Sequence, residues 1–250
     1  MCTLALYYKA FRGMPLLVAA NRDEHYDRPS APPVLLKTTP KIIAGKDLRV
    51  GGTWLGVNER GLFVGILNRR GNGDATASAT TRSRGLLCMD LLTHASADAV
   101  RGFIDRHRES YQPFTVVVAD DRHSWAAHNG NGTLSLTELT PGLHVFSSHA
   151  EVDSHSDKSD RASKQFALLL DGFEPSALMP RLKVLLSDHS VPANGSGARG
   201  EAICVHGEVS GTVSASVVLL AEARRRFEFF HCPGPPCQNN FGSASELPLP

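Results

Sequence analysis

The first thirty residues constrain this chain more than any other stretch. Cys2 follows the initiator methionine directly and heads two runs of strand-forming residues. Thr3–Tyr8 alternates and is rich in β formers, Ala10–Pro15 supplies turn residues, and Leu16–Ala20 is a second apolar run. The pattern predicts a hairpin turning near Arg12-Gly13. Paired positions then sum to about 25, within about two to four residues, so Cys2 faces the neighbourhood of Asp23. A second residue this small permits removal of Met1, and an N-terminal cysteine carries both a thiol nucleophile and a free α-amine. That amine, with an ordinary pKa of about 8, can act as the thiol's general base near neutral pH. Asp23 would hold and polarise it, and Asn21 and Arg22 bring an amide and a guanidinium to the same place. The competing readings are a cap on the strand end for Asp23 and a small apolar residue for Cys2.

Further along, Arg28–Pro40 is rich in proline and small residues and reads as an extended crossing loop, with a short strand at Ile42–Ala44. Thr53–Val57 and Leu62–Leu67 form a second hairpin about Asn58-Glu59-Arg60-Gly61, with Asn68 at its end. Ser83 is placed to cap a helix over Arg84–His94, and Ser96 another over Ala97–Arg108. Phe114–Ala119 is a continuous apolar strand suited to burial on both faces. Strands follow at Ser124–His128, Leu134–Glu138 and Leu143–Phe146, then helices at Lys158–Leu170 and Ser176–Leu186. The last strands are Ala202–Val205, Thr212–Leu220 and Arg225–Phe230. This order of strands, helix pair, strands, helix pair, strands points to an α+β layered domain over residues 1–230. Residues 231–250, rich in Pro, Gly, Ser and Asn, read as a disordered tail.

Several function classes find no support. A net charge of +1 exerts no general pull on nucleic acid or an anionic membrane. No apolar run approaches the roughly eighteen residues of a spanning helix, and no signal peptide is evident. Five cysteines at scattered spacing suggest no disulfide framework, so a reducing, cytoplasmic compartment is expected. His231, Cys232 and Cys237 lack a fourth ligand and a fixed frame, so no metal site is expected. No phosphate-cradling glycine motif occurs.

Cys2, the run A-A-N-R-D-E from Ala19 to Glu24, Tyr26 and Arg28-Pro29 resemble the NRDE family, the transport-and-Golgi-organisation type. G-G-T-W-L-G-V-N (Gly51 to Asn58), Ser83-Arg84-Gly85 and I-C-V-H-G-E-V-S-G-T (Ile203 to Thr212) continue the resemblance. It implies the fold of N-terminal-nucleophile hydrolases, a four-layer αββα sandwich. Asn58 to Leu62 with Leu67-Asn68 also resembles a segment of choloylglycine hydrolases and penicillin V acylases. That second resemblance implies that Asn68 and Arg69 lie at an oxyanion site. Arg22, Arg69 and Arg70 suit an anionic substrate tail, because guanidinium pairs well with carboxylate or phosphate. Ser148 stands where NRDE relatives carry an asparagine, a candidate donor to the substrate.

Two functions compete under these resemblances. One is an N-terminal-cysteine hydrolase or acyltransferase acting on a small acyl substrate, with Cys2, Asp23 and Asn68 catalytic. The other is a non-catalytic carrier of haem or a lipid or acyl ligand in the same cavity; the hydrolase needs no cofactor. Three positions depart from the patterns: Ala20 and Val213 where relatives carry arginine, and Ser148 where they carry asparagine. A hydrolase so altered is expected to favour activated esters and thioesters over amides.

Overall fold

A computed structural model describes residues 2–68, 82–107, 110–130, 133–147, 157–191 and 202–250. The predicted hairpin forms between β1 (Thr3–Phe11) and β2 (Met14–His25). Thr3 lies opposite Asn21 and Leu4 opposite Ala20, one step from the expected sum of about 25. Gly13 turns the chain with a φ of 74°, which a side chain would disfavour. β10 (Gly142–Ser147) pairs antiparallel on the other flank of β1, with Thr3 opposite Ser147. With a neighbouring strand on each side, β1 is buried from Thr3 to Tyr8, so the alternation read from the sequence marks no solvent-facing side.

Two sheets result. One runs β10-β1-β2-β11-β12-β13, its last three strands being Ser210–Ala221, Arg226–Cys232 and Ser245–Pro248. The other takes its strands in sequence order from β3 to β9. These are Ser30–Thr38, Lys41–Asp47, Leu55–Asn58, Phe63–Asn68, Phe114–Ala119, Ser124–Gly130 and Thr133–Glu138. Neighbours in this second sheet are antiparallel.

The chain divides into two compact units, neither of them continuous in sequence. The first comprises Met1–Asp27, Pro141–Leu219 and Phe229–Ala244; the second comprises Arg28–Thr140, Leu220–Glu228 and Ser245–Pro250. In the first, α3 (Asp157–Ala167) lies on β10, and α4 (Leu178–Leu186), entered through a 3-10 turn at Pro175–Ala177, lies on β2. α4 buries Leu178, Leu182 and Leu186, one residue per turn, and the Tyr7 hydroxyl donates to Phe166 O at 2.7 Å.

In the second unit, α1 (Arg84–Leu91) lies on β6 and α2 (Ala97–His107) on β7. Both helices start where the serines predict. Ser83 Oγ accepts from Leu86 N at 3.3 Å, and Ser96 Oγ from Ala99 N at 3.3 Å. Leu87, Leu91, Val100 and Ile104 close over Ile42, Val64, Val116 and Trp125 to make this unit's core. Each sheet with its own helix pair supplies the layers of an αββα class fold. Among the described residues no helix is long and apolar enough to cross a membrane.

Three expectations fail for physical reasons. Residues 30–38 are not a crossing loop but strand β3, with Pro32 and Pro33 absorbed in a register shift between Ala31 and Val34. Proline is tolerated there because β3 is an edge strand, where the missing N–H leaves no gap in a ladder. Residues 202–205 do not form a strand; an isolated bridge pairs His206 with Gly211 just beyond them. Nor is the stretch 231–250 a disordered tail. It continues β12, turns, and closes with β13, burying Cys232 and Leu247. Its Pro and Gly serve turns, with Gln238 N donating to Pro235 O and Gly242 N to His231 O, both at 3.0 Å.

Candidate functional site

The hairpin register, extended one step, brings Cys2 level with Arg22 and beside Asp23. The Cys2 thiol donates to the Asp23 backbone carbonyl at 3.6 Å. The Asp23 side chain is only 2% exposed. Its Oδ1 accepts from the Thr212 hydroxyl at 2.6 Å, and its Oδ2 lies 4.0 Å from Lys158 Nζ, itself 6% exposed. A thiol and a carboxylate thus share a corner at the start of β1 and the end of β2, closed by α3 and the start of β11.

Electrostatics follow from that burial. Burial pushes the Cys2 thiol above its ordinary value, and the Asp23 charge adds to the effect, while Arg22 acts in the opposite sense. Cys2 is therefore a thiol near neutral pH, and its proton must be taken during any attack. Burial also raises Asp23 above the usual carboxylate range, with Lys158 and the Thr212 hydrogen bond opposing the shift.

Thr212 is fixed by more than Asp23. Val205 N donates to its Oγ1 at 2.9 Å, and Thr212 N donates to Val205 O at 2.8 Å. The strap 202–212 is held against the end of β2 at two further points. Tyr26 N donates to Val209 O at 3.1 Å and the Tyr26 hydroxyl to Gly207 O at 3.2 Å. Gly211 must be glycine, because a Cβ there would fall 2.4 Å from the Tyr26 oxygen and 2.6 Å from Val205 O.

Asn21 donates both amide hydrogens, to Leu186 O at 2.8 Å and Ile203 O at 2.9 Å, and is 1% exposed. Both of its amide hydrogens are thus committed to backbone carbonyls. It tethers β2 to the end of α4 and to the strap. Arg22 is likewise buried, 6% exposed, and acts on Cys2 through its charge rather than from an open surface. Asn68 is exposed at the last position of β6, in the second unit. Arg69, Arg70 and Ser148 lie outside the described residues. Thr212 and Lys158 escaped the sequence reading. The Gly211-Thr212 pair was a usable signal for the first, and nothing in the polar helix α3 marked the second.

The other quoted motifs prove architectural. A Cβ on Gly52 would lie 2.3 Å from the Gly85 carbonyl carbon, so the two glycines let a loop and the start of α1 touch. Thr53 N donates to Gly85 O at 3.0 Å. Fully buried Asn58 gives its amide to Leu92 O and His94 O, each at 2.8 Å, and accepts from Arg60 N and Leu62 N. It satisfies the open end of α1 and the β5–β6 turn together.

A second polar cluster lies elsewhere in the first unit. His189, Cys204, His206 and Cys237 bring their candidate ligand atoms within 4.8 Å of one another. Cys232, which the sequence pairs with Cys237 by proximity, is instead buried in β12.

Comparison with known proteins agrees with this architecture. The sequence profile of Transport and Golgi organisation 2 matches residues 1–231. The mouse Transport and Golgi organization 2 homolog is 29% identical over 148 residues, covering 53% of this chain and 50% of its own. The human homolog is 28% identical over the same length. The chain thus spans about half the length of the curated relatives it matches, 50% in each case. Among solved structures, penicillin V acylase from Agrobacterium tumefaciens superposes with a TM-score of 0.58 at 13% identity, over 91% of this chain and 82% of that one. The Caenorhabditis elegans N-acylethanolamine-hydrolyzing acid amidase ortholog does so with a TM-score of 0.54 at 12% identity, over 87% and 92%. The fold is that of N-terminal-nucleophile hydrolases, and the chain belongs to the Transport and Golgi organisation 2 family.

Proposed function

We propose that this protein is an N-terminal-cysteine acyl hydrolase or acyltransferase acting on small activated acyl compounds. The observation that carries the reading is the Cys2 thiol beside a buried Asp23 whose carboxylate is fixed by Thr212 and Lys158. In this reading Met1 is removed, and the α-amine of Cys2 takes the thiol proton as sulfur attacks the acyl carbonyl. Asp23 orients that amine. The tetrahedral oxyanion is held by backbone N–H groups, and its collapse expels the leaving group, which receives the proton from the amine. Water, or an acceptor amine or alcohol, then attacks the thioester, and sulfur leaves with its proton restored. The raised thiol pKa supports the need for a base. An acylase and an amidase on the same fold support the acyl chemistry.

Val213 and Ser148 stand where two stronger donors are expected, and losing one oxyanion donor costs roughly 3–4 kcal/mol, about a hundred- to thousand-fold in rate. Thioesters and activated esters, with more electrophilic carbonyls, suffer less from that loss. The test combines intact-mass analysis with acyl-CoA, activated-ester and N-acyl amino acid substrates offered to the wild type and Cys2→Ala. A covalent acyl adduct on Cys2 with turnover of thioesters, absent in Cys2→Ala, is expected. Quantitative retention of Met1, or turnover that survives Cys2→Ala, rejects the mechanism. A Soret band on haem addition that persists in Cys2→Ala, with no acyl adduct, favours the carrier.

A further inference from the structure

Four side chains of the metal-ligating type, distant in sequence, converge in the first unit. Cys204 Sγ lies 3.7 Å from Cys237 Sγ and 3.8 Å from His206 Nε2, and His206 Nε2 lies 3.2 Å from Cys237 Sγ. The His189 ring lies against His206 with centroids 5.1 Å apart, and one atom from each of the four falls within 4.8 Å of all the others. We propose that His189, Cys204, His206 and Cys237 form a tetrahedral site for a zinc-class divalent cation, with structural rather than catalytic consequence.

The spacing is the first ground. Zinc bonds of about 2.3 Å to sulfur and about 2.0–2.1 Å to imidazole nitrogen give tetrahedral edges of about 3.8 Å between sulfurs and about 3.6 Å between sulfur and nitrogen. The separations of 3.7, 3.8 and 3.2 Å scatter about those edges. A disulfide needs its sulfurs at about 2.0 Å, so Cys204 and Cys237 are placed to share a cation rather than a bond.

The second ground is the backbone that carries each ligand. Cys204 N donates to Asp188 O at 2.8 Å, which joins the segment bearing Cys204 to the one bearing His189. The His189 Nδ1 contact with Cys204 O, 3.0 Å, must be a donation, because a carbonyl only accepts. Nε2 is then the lone-pair atom, and a carbonyl on the far nitrogen is the usual partner of a ligating histidine. Asp188 is itself locked, its Oδ2 accepting from Gln165 Nε2 at 2.8 Å and from the Ser190 hydroxyl at 2.6 Å. Gly207 N donates to Ser210 O at 3.0 Å just after His206, and Gln238 and Asn239 N donate to Pro235 O around Cys237.

Charge closes the site. The cation takes both thiols as thiolates, releasing one proton from each, and both imidazoles neutral, so a divalent ion is exactly balanced in charge by its ligands. Four protein ligands leave no open position, which is the structural form. Cys237 lies beyond the family match over residues 1–231, so the complete set belongs to this chain rather than to the family profile. The proposal stands apart from the Cys2 chemistry, yet it bears on it mechanically. Cys204 and His206 flank Val205, whose N–H is held by the same Thr212 oxygen that donates to Asp23, and Asn21 holds Ile203 O.

The test uses the full chain, purified under reducing conditions, with metal counted by plasma mass spectrometry and Co²⁺ titrated into chelator-stripped protein. One zinc per chain is expected. Co²⁺ should give sulfur-to-cobalt charge-transfer bands and the visible bands of a tetrahedral ion, and stripping should lower the Tm reversibly. Cys237→Ser and His206→Ala should lose or blue-shift those bands, while Cys232→Ala and Cys2→Ala keep them. Should a ligand variant fail to fold, the wild-type stoichiometry and cobalt spectrum still decide. Reduced wild type that holds no zinc and gives no cobalt bands overturns the proposal, as does a Cys204–Cys237 disulfide in freshly isolated, metal-free protein, or binding unchanged in Cys237→Ser.

Discussion

At the scale of single residues, Thr212 and Asp23 are the most informative pair. Thr212→Val removes both the donor to Asp23 and the acceptor for Val205 N. A hydrogen bond to a charged group is worth roughly 1.5–3 kcal/mol, so denaturant unfolding should show a loss of that order. Labelling of Cys2 by an acylating probe should slow as well, and Thr212→Ser should restore both. Asp23 itself yields a pH prediction. Burial raises its native pKa above the unfolded value, so the folded state binds the proton more tightly. Stability should therefore be greatest at acid pH as far as this group is concerned, and fall as pH rises from the unfolded carboxylate range through the native pKa. Asp23→Asn should abolish that fall and be at least as stable as the wild type at neutral pH, while losing acyl transfer. Urea unfolding of both proteins between about pH 4 and pH 8 decides. A variant less stable than wild type throughout would mean that Thr212 and Lys158 outweigh the burial of the charge.

At the scale of elements, glycines show where backbone must approach something closely. Gly52 meets Gly85, and Gly211 meets Tyr26 and Val205. Gly211→Ala should displace the strap and with it Thr212. Because one of the colliding atoms is the backbone oxygen of Val205, at 2.6 Å, Tyr26→Ala should not rescue it. Overpacking of this kind costs about 1–3 kcal/mol, and calorimetry should find a Tm lowered by several degrees in Gly211→Ala and in the double variant alike. Full rescue by Tyr26→Ala would show that only the tyrosine oxygen is in the way. The elements themselves were largely legible. The first hairpin, the capped starts of α1 and α2 and the buried β7 follow from alternation, serine caps and an unbroken apolar run. β3 was not, because two prolines argue against a strand unless the strand is known to be an edge, and edges are set by tertiary pairing. Residues 202–205 look like a strand because Ile203–Val205 are β formers, whereas the backbone there is spent on Asp188, Thr212 and Asn21. For the same reason the site was half visible. Cys2 and Asp23 meet through local hairpin register, but Lys158 and Thr212 arrive from 135 and 189 residues beyond Asp23 (158 less 23; 212 less 23).

At the scale of the whole molecule, the last twenty residues matter most, since their composition points to a disordered tail. Proline, glycine, serine and asparagine mark both disorder and tight turns, and what separates the two is whether apolar side chains nearby find a place to be buried. Here Leu247 does, at 2% exposure, and Leu249 N donates to Arg225 O at 2.8 Å while Arg226 pairs with Glu246 at 2.8 Å. Two truncations separate the roles of this segment. A chain ending at Ala244 loses β13 and the burial of Leu247, worth roughly 1.5–3 kcal/mol, but keeps Cys237. A chain ending at Cys232 loses Cys237 as well. The first should unfold several degrees below the full chain, since 1 kcal/mol is about 2–4 °C for a domain of this size, and should still take up one Co²⁺ with its tetrahedral spectrum. The second should fall further and bind none, and adding zinc should raise the Tm of the first chain but not of the second. Equal melting of all three chains would return the segment to the disordered tail that its composition suggests. Equal metal binding by both truncations would detach Cys237 from the site.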